Sequence, residues 1–225
     1  MKTLLIGSGR LSRHLQFYFQ QKNISFTTWN RSQDLELLHN LISEASHILL
    51  AISDSSLEPF FHQHLKDSSK KIIHFSGALS LTRAFAAHPL MSFGPELYSL
   101  EDYEKIHFVI TGAPALGDLI PGLENKFTSI PAENKALYHA LCVLGGNFPI
   151  LLWAKMSEGF KDLGLPPEAA QVYLEKIVEN FNRQGSRALT GPLVRKDLAT
   201  IQANLKALDK DPFQNVYSAF VEAYQ

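Results

Sequence analysis

The chain has 225 residues, 45% of them hydrophobic, so it can bury a substantial core, and its length suits two modest domains better than one large one. Twenty-one basic and 22 acidic side chains leave a formal charge of -1, which offers no global field to recruit nucleic acid or an anionic membrane. The single cysteine, Cys142, excludes an internal disulfide and a multi-cysteine metal cage, as expected for a cytoplasmic protein, and its apolar setting "ALCVLGG" suits a structural thiol better than a nucleophile.

The apolar run after Lys2 stops at Gly7, too soon for a signal peptide or a membrane span, and no later run reaches that length without a polar residue or a breaker. "TLLI" reads as a strand, followed by a helix with Leu11, Leu15, Tyr18 and Phe19 on one stripe. "ISFTTW", "HILLAIS", "KIIHFS" and "IHFVITG" supply further strands, and helical patterns separate the first of them as a wound parallel sheet requires. Their ends would line the carboxyl edge of the sheet with Gly7, Asn30, Ser53, Ser76 and Gly112, the edge where open α/β sheets bind ligands. From about Glu133 the pattern turns helical: a long apolar segment through "LLWAKMSEGF", then "PPEAAQVYLEKIVENFNRQG", a stripe of Leu198, Ile201, Leu205 and Leu208, and a last helix capped near Asp211. The expected fold is a Rossmann-type doubly wound parallel sheet over residues 1–131, followed by an all-α domain over 132–225.

The turn "GSGRLS" supplies Gly7, Gly9 and Ser12 at the spacing of the dinucleotide fingerprint GxGxxG, with a small residue in place of the third glycine. It follows a strand and opens an amphipathic helix, so the backbone from Gly7 and Ser8 through Gly9, Arg10 and Leu11 would meet a pyrophosphate with free amides and a favourable dipole. A purely structural strand-to-helix turn could use the same glycines. The second strand ends in Asn30, Arg31 and Ser32 rather than in the acidic residue that would bond a ribose 2′-hydroxyl. A guanidinium there suits a 2′-phosphate, so NADP is expected over NAD; otherwise Arg31 is an ordinary solvated loop residue. A methyltransferase on this fold is disfavoured by the same missing acid.

With "GSGRLSRHL", "WNRS" and "ILLAISDSSL", the chain resembles the superfamily of pyrroline-5-carboxylate reductase, ketopantoate reductase and the β-hydroxyacid dehydrogenases. Through "HFSGALS", "HPLMSF", "YHALCVLGGN" and "LTGPLVRKD" it also resembles, over nearly its whole length, a family of Rossmann-like proteins with a helical C-terminal domain of unknown function. The resemblance implies an NADP-binding fold and a helical domain that pairs subunits, but no substrate.

Candidate chemistry follows from what hydride transfer needs: a group that moves a proton at the reacting heteroatom. His88 would sit on a loop near the cleft, as proton donor or merely bonded to backbone. Ser53 and Ser76, at strand ends, could approach the cofactor, or Ser76 could cap the next segment. In the β-hydroxyacid dehydrogenases a lysine and an asparagine one turn apart act as proton donor and substrate anchor. This chain lacks that pair; Lys135 lies one turn before His139, with nothing in the spacing to make it equivalent, so His139 and Asn147 are the candidates for a different substrate site. Gly145 and Gly146 would admit a ligand or a close-packed helix. Arg195 would bind an anionic substrate group or pair with Asp197, which could also cap a helix. His62 and His64 diverge on one helix, and no metal site stands out. The expectation is an NADP(H)-dependent oxidoreductase acting on a small carbonyl, imine or hydroxy compound in the cleft between domains, homodimeric through its helical domain. The alternative is a nucleotide-binding sensor or assembly protein without turnover.

Overall fold

The computed structural model describes residues 2–224. The chain divides into two compact units, Met1–Ile150 and Leu151–Gln225.

The first unit is a seven-stranded sheet in the order β2-β1-β3-β4-β5-β6-β7. Its strands are β1 (Thr3–Ile6), β2 (Phe26–Trp29), β3 (His47–Leu50), β4 (Lys71–His74), β5 (Phe85–Pro89), β6 (Phe108–Thr111) and β7 (Phe127–Ser129). Helices α1 (Arg10–Gln21), α2 (Leu35–Glu44) and α3 (Asp54–His64) cross between the first four, and α4 (Leu100–Lys105) precedes β6. β1 and β3 are buried along their whole length, which is why they read as unbroken apolar runs. Strand side chains alternate between two cores. Leu5, Leu49, Ile73 and Ile110 pack with Leu15, Tyr18 and Phe19 of α1 and Tyr103 of α4. Leu4, Ile6, Ile48, Leu50 and Ile72 pack with Leu38 of α2 and with Leu57 and Phe61 of α3. The sheet is thus covered on both faces, as the doubly wound arrangement demands.

Two sequence expectations need correction. β5, in "FAAHP", was not recognised as a strand: small alanines replace the branched residues that mark strands, and His88 therefore lies on β5 rather than on a loop. β5 runs parallel to β4, but β6 runs antiparallel to β5, pairing Ala86 with Thr111 and Pro89 with Phe108. Gly112, just after β6, therefore lies beside Phe85 at the start of β5 rather than at a carboxyl strand end with Gly7, Asn30, Ser53 and Ser76. The edge strand β7 was also unrecognised; all three of its residues are exposed.

After β7 one continuous helix runs Ala132–Asp162, containing α5 (Lys135–Cys142), a π-helical turn (Val143–Asn147) and α6 (Phe148–Asp162). The expected breakers do not break it. The widened turn sits just ahead of Pro149, where a helix must absorb a missing N–H donor. This 31-residue helix is long and apolar enough to cross a membrane, with a mean hydropathy of 1.4 in its most apolar stretch, none of which is buried within the chain. Its first turn, however, is packed on the sheet, as shown below.

The second unit contains α7 (Pro167–Gln184), α8 (Pro192–Arg195), α9 (Leu198–Ala207) and α10 (Phe213–Tyr224). α7 begins at the expected proline and ends on Gly185 at φ +58°. Asp197 caps α9 through the Thr200 amide and hydroxyl, at 3.1 and 2.7 Å. Asp211 accepts from the Phe213 amide at 2.9 Å at the start of α10.

Candidate active site on the carboxyl edge

The turn after β1 is built by backbone constraints. Gly7 holds φ +134°, and a Cβ there would stand 2.2 Å from the Ala51 carbonyl oxygen, so β1 and the end of β3 approach closely only because residue 7 has no side chain. Its amide donates to Trp29 O at 2.9 Å, which fixes the end of β2 beside the turn. Ser12, fully buried in place of the third glycine, donates its hydroxyl to Gly7 O at 2.8 Å and closes the turn onto α1.

Gly9 is the N-cap of α1. No side chain caps the helix, no acidic residue occupies its first turn, and a Cβ on Gly9 would meet nothing within 4 Å. Arg10 and Arg13 instead bring two cations to the positive end of the helix dipole, an arrangement that favours an anion in the open space ahead of it. At the end of β2, Asn30 folds back so that its Oδ1 accepts from the amide and hydroxyl of Ser32 at 3.1 and 2.6 Å, and Arg31 projects from this turn, exposed. Among the described residues no ion pair uses Arg10, Arg13 or Arg31. The segment after β5 is tied to α1 by His14, which is 1% exposed; its ring nitrogens contact the Tyr103 hydroxyl at 2.6 Å and Gly94 O at 3.0 Å.

Further along the same edge lies a cluster that sequence reasoning assembled only in part. Ser76, just past β4, donates its hydroxyl to Asp54 Oδ2 at 2.8 Å and accepts from the Ala78 and Leu79 amides, so it does cap the segment that follows. Ser53 instead precedes α3 with its hydroxyl 2.7 Å from that of Ser56. Lys135, 2% exposed, donates to the Ser76 carbonyl at 2.8 Å. Burial lowers its pKa to about 8, against the opposing pull of Asp54. His74 and His88 are held neutral, each with a pKa lowered to about 4, first by burial and then by the charge on Lys135.

Gly77 lies under two imidazoles: a Cβ there would come within 2.7 Å of His139 Nδ1 and 3.2 Å of His88 Nε2. His139 Nδ1 is buried without a hydrogen-bond partner, the sole such side-chain polar atom among the described residues. His88 Nδ1 shares a 2.7 Å hydrogen bond with the Tyr138 hydroxyl. Lys135 and His139, one helical turn apart, therefore both reach the Ser76–Gly77 corner, which the spacing argument had not credited to Lys135. Its signal was the one lysine or arginine of the long helix ahead of Lys155, in an otherwise apolar run. Asp54 was also missed, hidden in the serine-rich "SDSSL"; a cavity of about 570 Å³ lined by Asp54, Glu58, His62, Leu79 and Thr82 adjoins it.

Asn147 lies exposed in the π-helical turn, and a Cβ on Gly145 or Gly146 would meet nothing within 4 Å beyond the helix's own backbone. Arg195 is exposed and makes no ion pair with Asp197 within hydrogen-bonding reach. Among the described residues no group of three or more His, Cys, Asp or Glu could hold a metal ion.

This fold recurs in solved structures. A protein of Bacteroides fragilis provisionally described as an NADP oxidoreductase superposes with a TM-score of 0.74 at 19% identity, covering 99% of this chain and 97% of that one. A protein of Thermotoga maritima gives 0.69 at 22% identity, over 99% and 96% of the two chains. The pyrroline carboxylate reductase of Plasmodium falciparum, with NADP bound, gives 0.58 at 15% identity, over 100% and 96%. At these identities the likeness establishes the fold. No curated protein matches the sequence. Residues 106–224, more than half of the 225, match the family described as "Domain of unknown function (DUF2520)", and the chain belongs to that family.

Proposed function

We propose that the protein is an NADP(H)-dependent oxidoreductase that transfers a hydride to or from a small carbonyl, imine or hydroxy compound. The observation that carries this reading is the start of α1: uncapped, free of acid and flanked by Arg10 and Arg13, it opens beside a β2 end that presents Arg31. Such an edge fits a diphosphate at Gly7–Leu11 and a 2′-phosphate at Asn30–Ser32. The nicotinamide, when bound, supplies or takes the hydride. Several structures of this fold are of proteins named as reductases or reductive aminases with NADP or NADPH, and their names support the cofactor.

Lys135 is the chain's candidate for the accompanying proton. An ammonium with a pKa of about 8 is charged at neutral pH yet gives up its proton readily, as a general acid must. In the reducing direction it would deliver that proton to the oxygen or nitrogen that hydride arrival makes basic, and solvent would restore it. A buried lysine at this edge favours turnover over the alternative of a sensor or assembly protein that binds without it.

We also propose a homodimer through the helical part of the chain. Leu137, Leu141, Leu144, Ile150 and Leu151 on the long helix are each more than half exposed, as are Val172, Phe181 and Leu198 in the second unit.

Titration with NADPH and NADH tests the cofactor: tighter binding of NADPH is expected, and no affinity for either removes the enzyme reading. NADPH oxidation across keto acids, aldehydes and imines then tests turnover.

A further inference from the structure

The Tyr138–His88 pair has a directional chemistry. A phenol O–H is a stronger donor than an imidazole N–H, and an imidazole nitrogen is a stronger acceptor than a phenol oxygen, so their 2.7 Å bond runs from Tyr138 O–H to His88 Nδ1. Tyr138 keeps its proton, since burial first, and then the Cys142 thiol beside it, raise its pKa. The remaining ring proton of neutral His88 must then sit on Nε2. Among the described residues that nitrogen has no partner, and unlike His139 Nδ1 it is not sealed from solvent. It lies 3.2 Å from where a Cβ on Gly77 would stand, at the corner whose preceding carbonyl is held by Lys135.

We propose that Tyr138 locks His88 in the Nε2–H tautomer, making His88 a neutral hydrogen-bond donor to the substrate heteroatom that receives the proton of Lys135. The inference rests on the oxidoreductase reading for the identity of that heteroatom, but not for the tautomer. Two donors of different kind then converge on one site. Lys135 transfers its proton, whereas His88 only polarises and orients the bond, a division suited to a C=O or C=N group that must be aligned before hydride arrives. Tyr138 acts through His88 and is a positioning residue.

The test uses the full chain with ¹⁵N-labelled histidine, His88 being assigned by the signal lost in His88→Gln. Two-bond ¹H–¹⁵N correlations between pH 6 and 8 should show a protonated Nε2 and a bare Nδ1, and Tyr138→Phe should move both nitrogens toward the averaged values of a free imidazole. A protonated Nδ1 in the native chain, or an unchanged pattern in Tyr138→Phe, overturns the proposal. In turnover, Tyr138→Phe should lower kcat about tenfold, the equivalent of one net hydrogen bond, with NADPH affinity unchanged. His88→Gln, whose amide nitrogen reaches toward the Nε2 position, should retain more activity than His88→Asn; equal losses overturn the catalytic duty of His88. A chain that binds no pyridine nucleotide sinks the oxidoreductase reading and the substrate role together, while the nitrogen shifts still decide the tautomer.

Discussion

The sheet unit and the helical unit handle apolar surface in opposite ways. Within Met1–Ile150 the strands and their helices seal two cores, whereas beyond Ile150 only Ala170 and Ile201 are buried apolar residues among those described. Five of the large apolar residues on α7 alone, Val172, Tyr173, Ile177, Val178 and Phe181, are exposed. The contrast teaches that apolar content reports how much surface must be covered, not whether the same chain covers it. The strands and their crossing helices stand on their own packing; the apolar faces of the long helix and of the second unit are what the proposed dimer would cover.

Substitutions can break or sharpen that contrast. The largest effect is expected at Gly7: Gly7→Ala combines a positive φ with a 2.2 Å clash against backbone and should cost more than about 3 kcal/mol in denaturant unfolding. A small loss there would show that the sheet unit is less tightly built than its core implies. Lys135→Met should leave the sheet folded but slow turnover about 100-fold or more, read as kcat of NADPH oxidation. On the long helix, which the first unit carries as far as Ile150, Leu137→Glu with Leu141→Glu should turn the proposed dimer into a monomer by light scattering. Both positions are exposed, so monomer stability should hardly change; a native chain that is already monomeric ends the dimer proposal. Arg31→Ala should reduce the preference for NADPH over NADH about tenfold or more, the worth of a charge-assisted bond. Ser12→Ala, which deletes the bond to Gly7 O, should cost about 1 kcal/mol.

Stability should also follow pH in two windows set by the cluster at Ser76. His74 and His88 have folded pKa values of about 4 against 6.5 in the unfolded chain, so the folded state resists protonation. Their contribution is complete above pH 6.5 and is lost as pH falls through 4. Lys135 titrates at about 8 when folded and 10.5 when not, so between those values stability should rise with pH. Lys135→Met should flatten that alkaline rise in urea midpoints, and a rise that persists would place its source elsewhere.

What the sequence disclosed tracks the range of the interactions involved. The β1 turn, the stripe of α1 and the start of α7 are local, and their residue types announce them: glycines, a 3.6-residue period and a first-turn proline. β5 stayed hidden because "FAAHP" owes its strand state to neighbours on both sides rather than to its own propensity. The reversal at β6 has no local signature, so Gly112 was expected at a carboxyl strand end instead of beside the start of β5. At the site, Ser76 and His88 were legible from strand ends and ring chemistry. Lys135 was discounted because its place in the cluster comes from contact with a residue 59 positions away, which no spacing rule reveals.

The reversal of β6 has a consequence for variation. Since β5 and β6 run in opposite directions, the chain stays on the carboxyl rim from Leu90 to His107, where a parallel crossover would have left it. That stretch is stitched to α1 through His14 yet begins and ends in neighbouring strands, so its length can change without disturbing the register of β1 to β4. Insertions or grafts between Met91 and Ser99 offer a way to reshape what the rim admits while the floor beneath it stays intact.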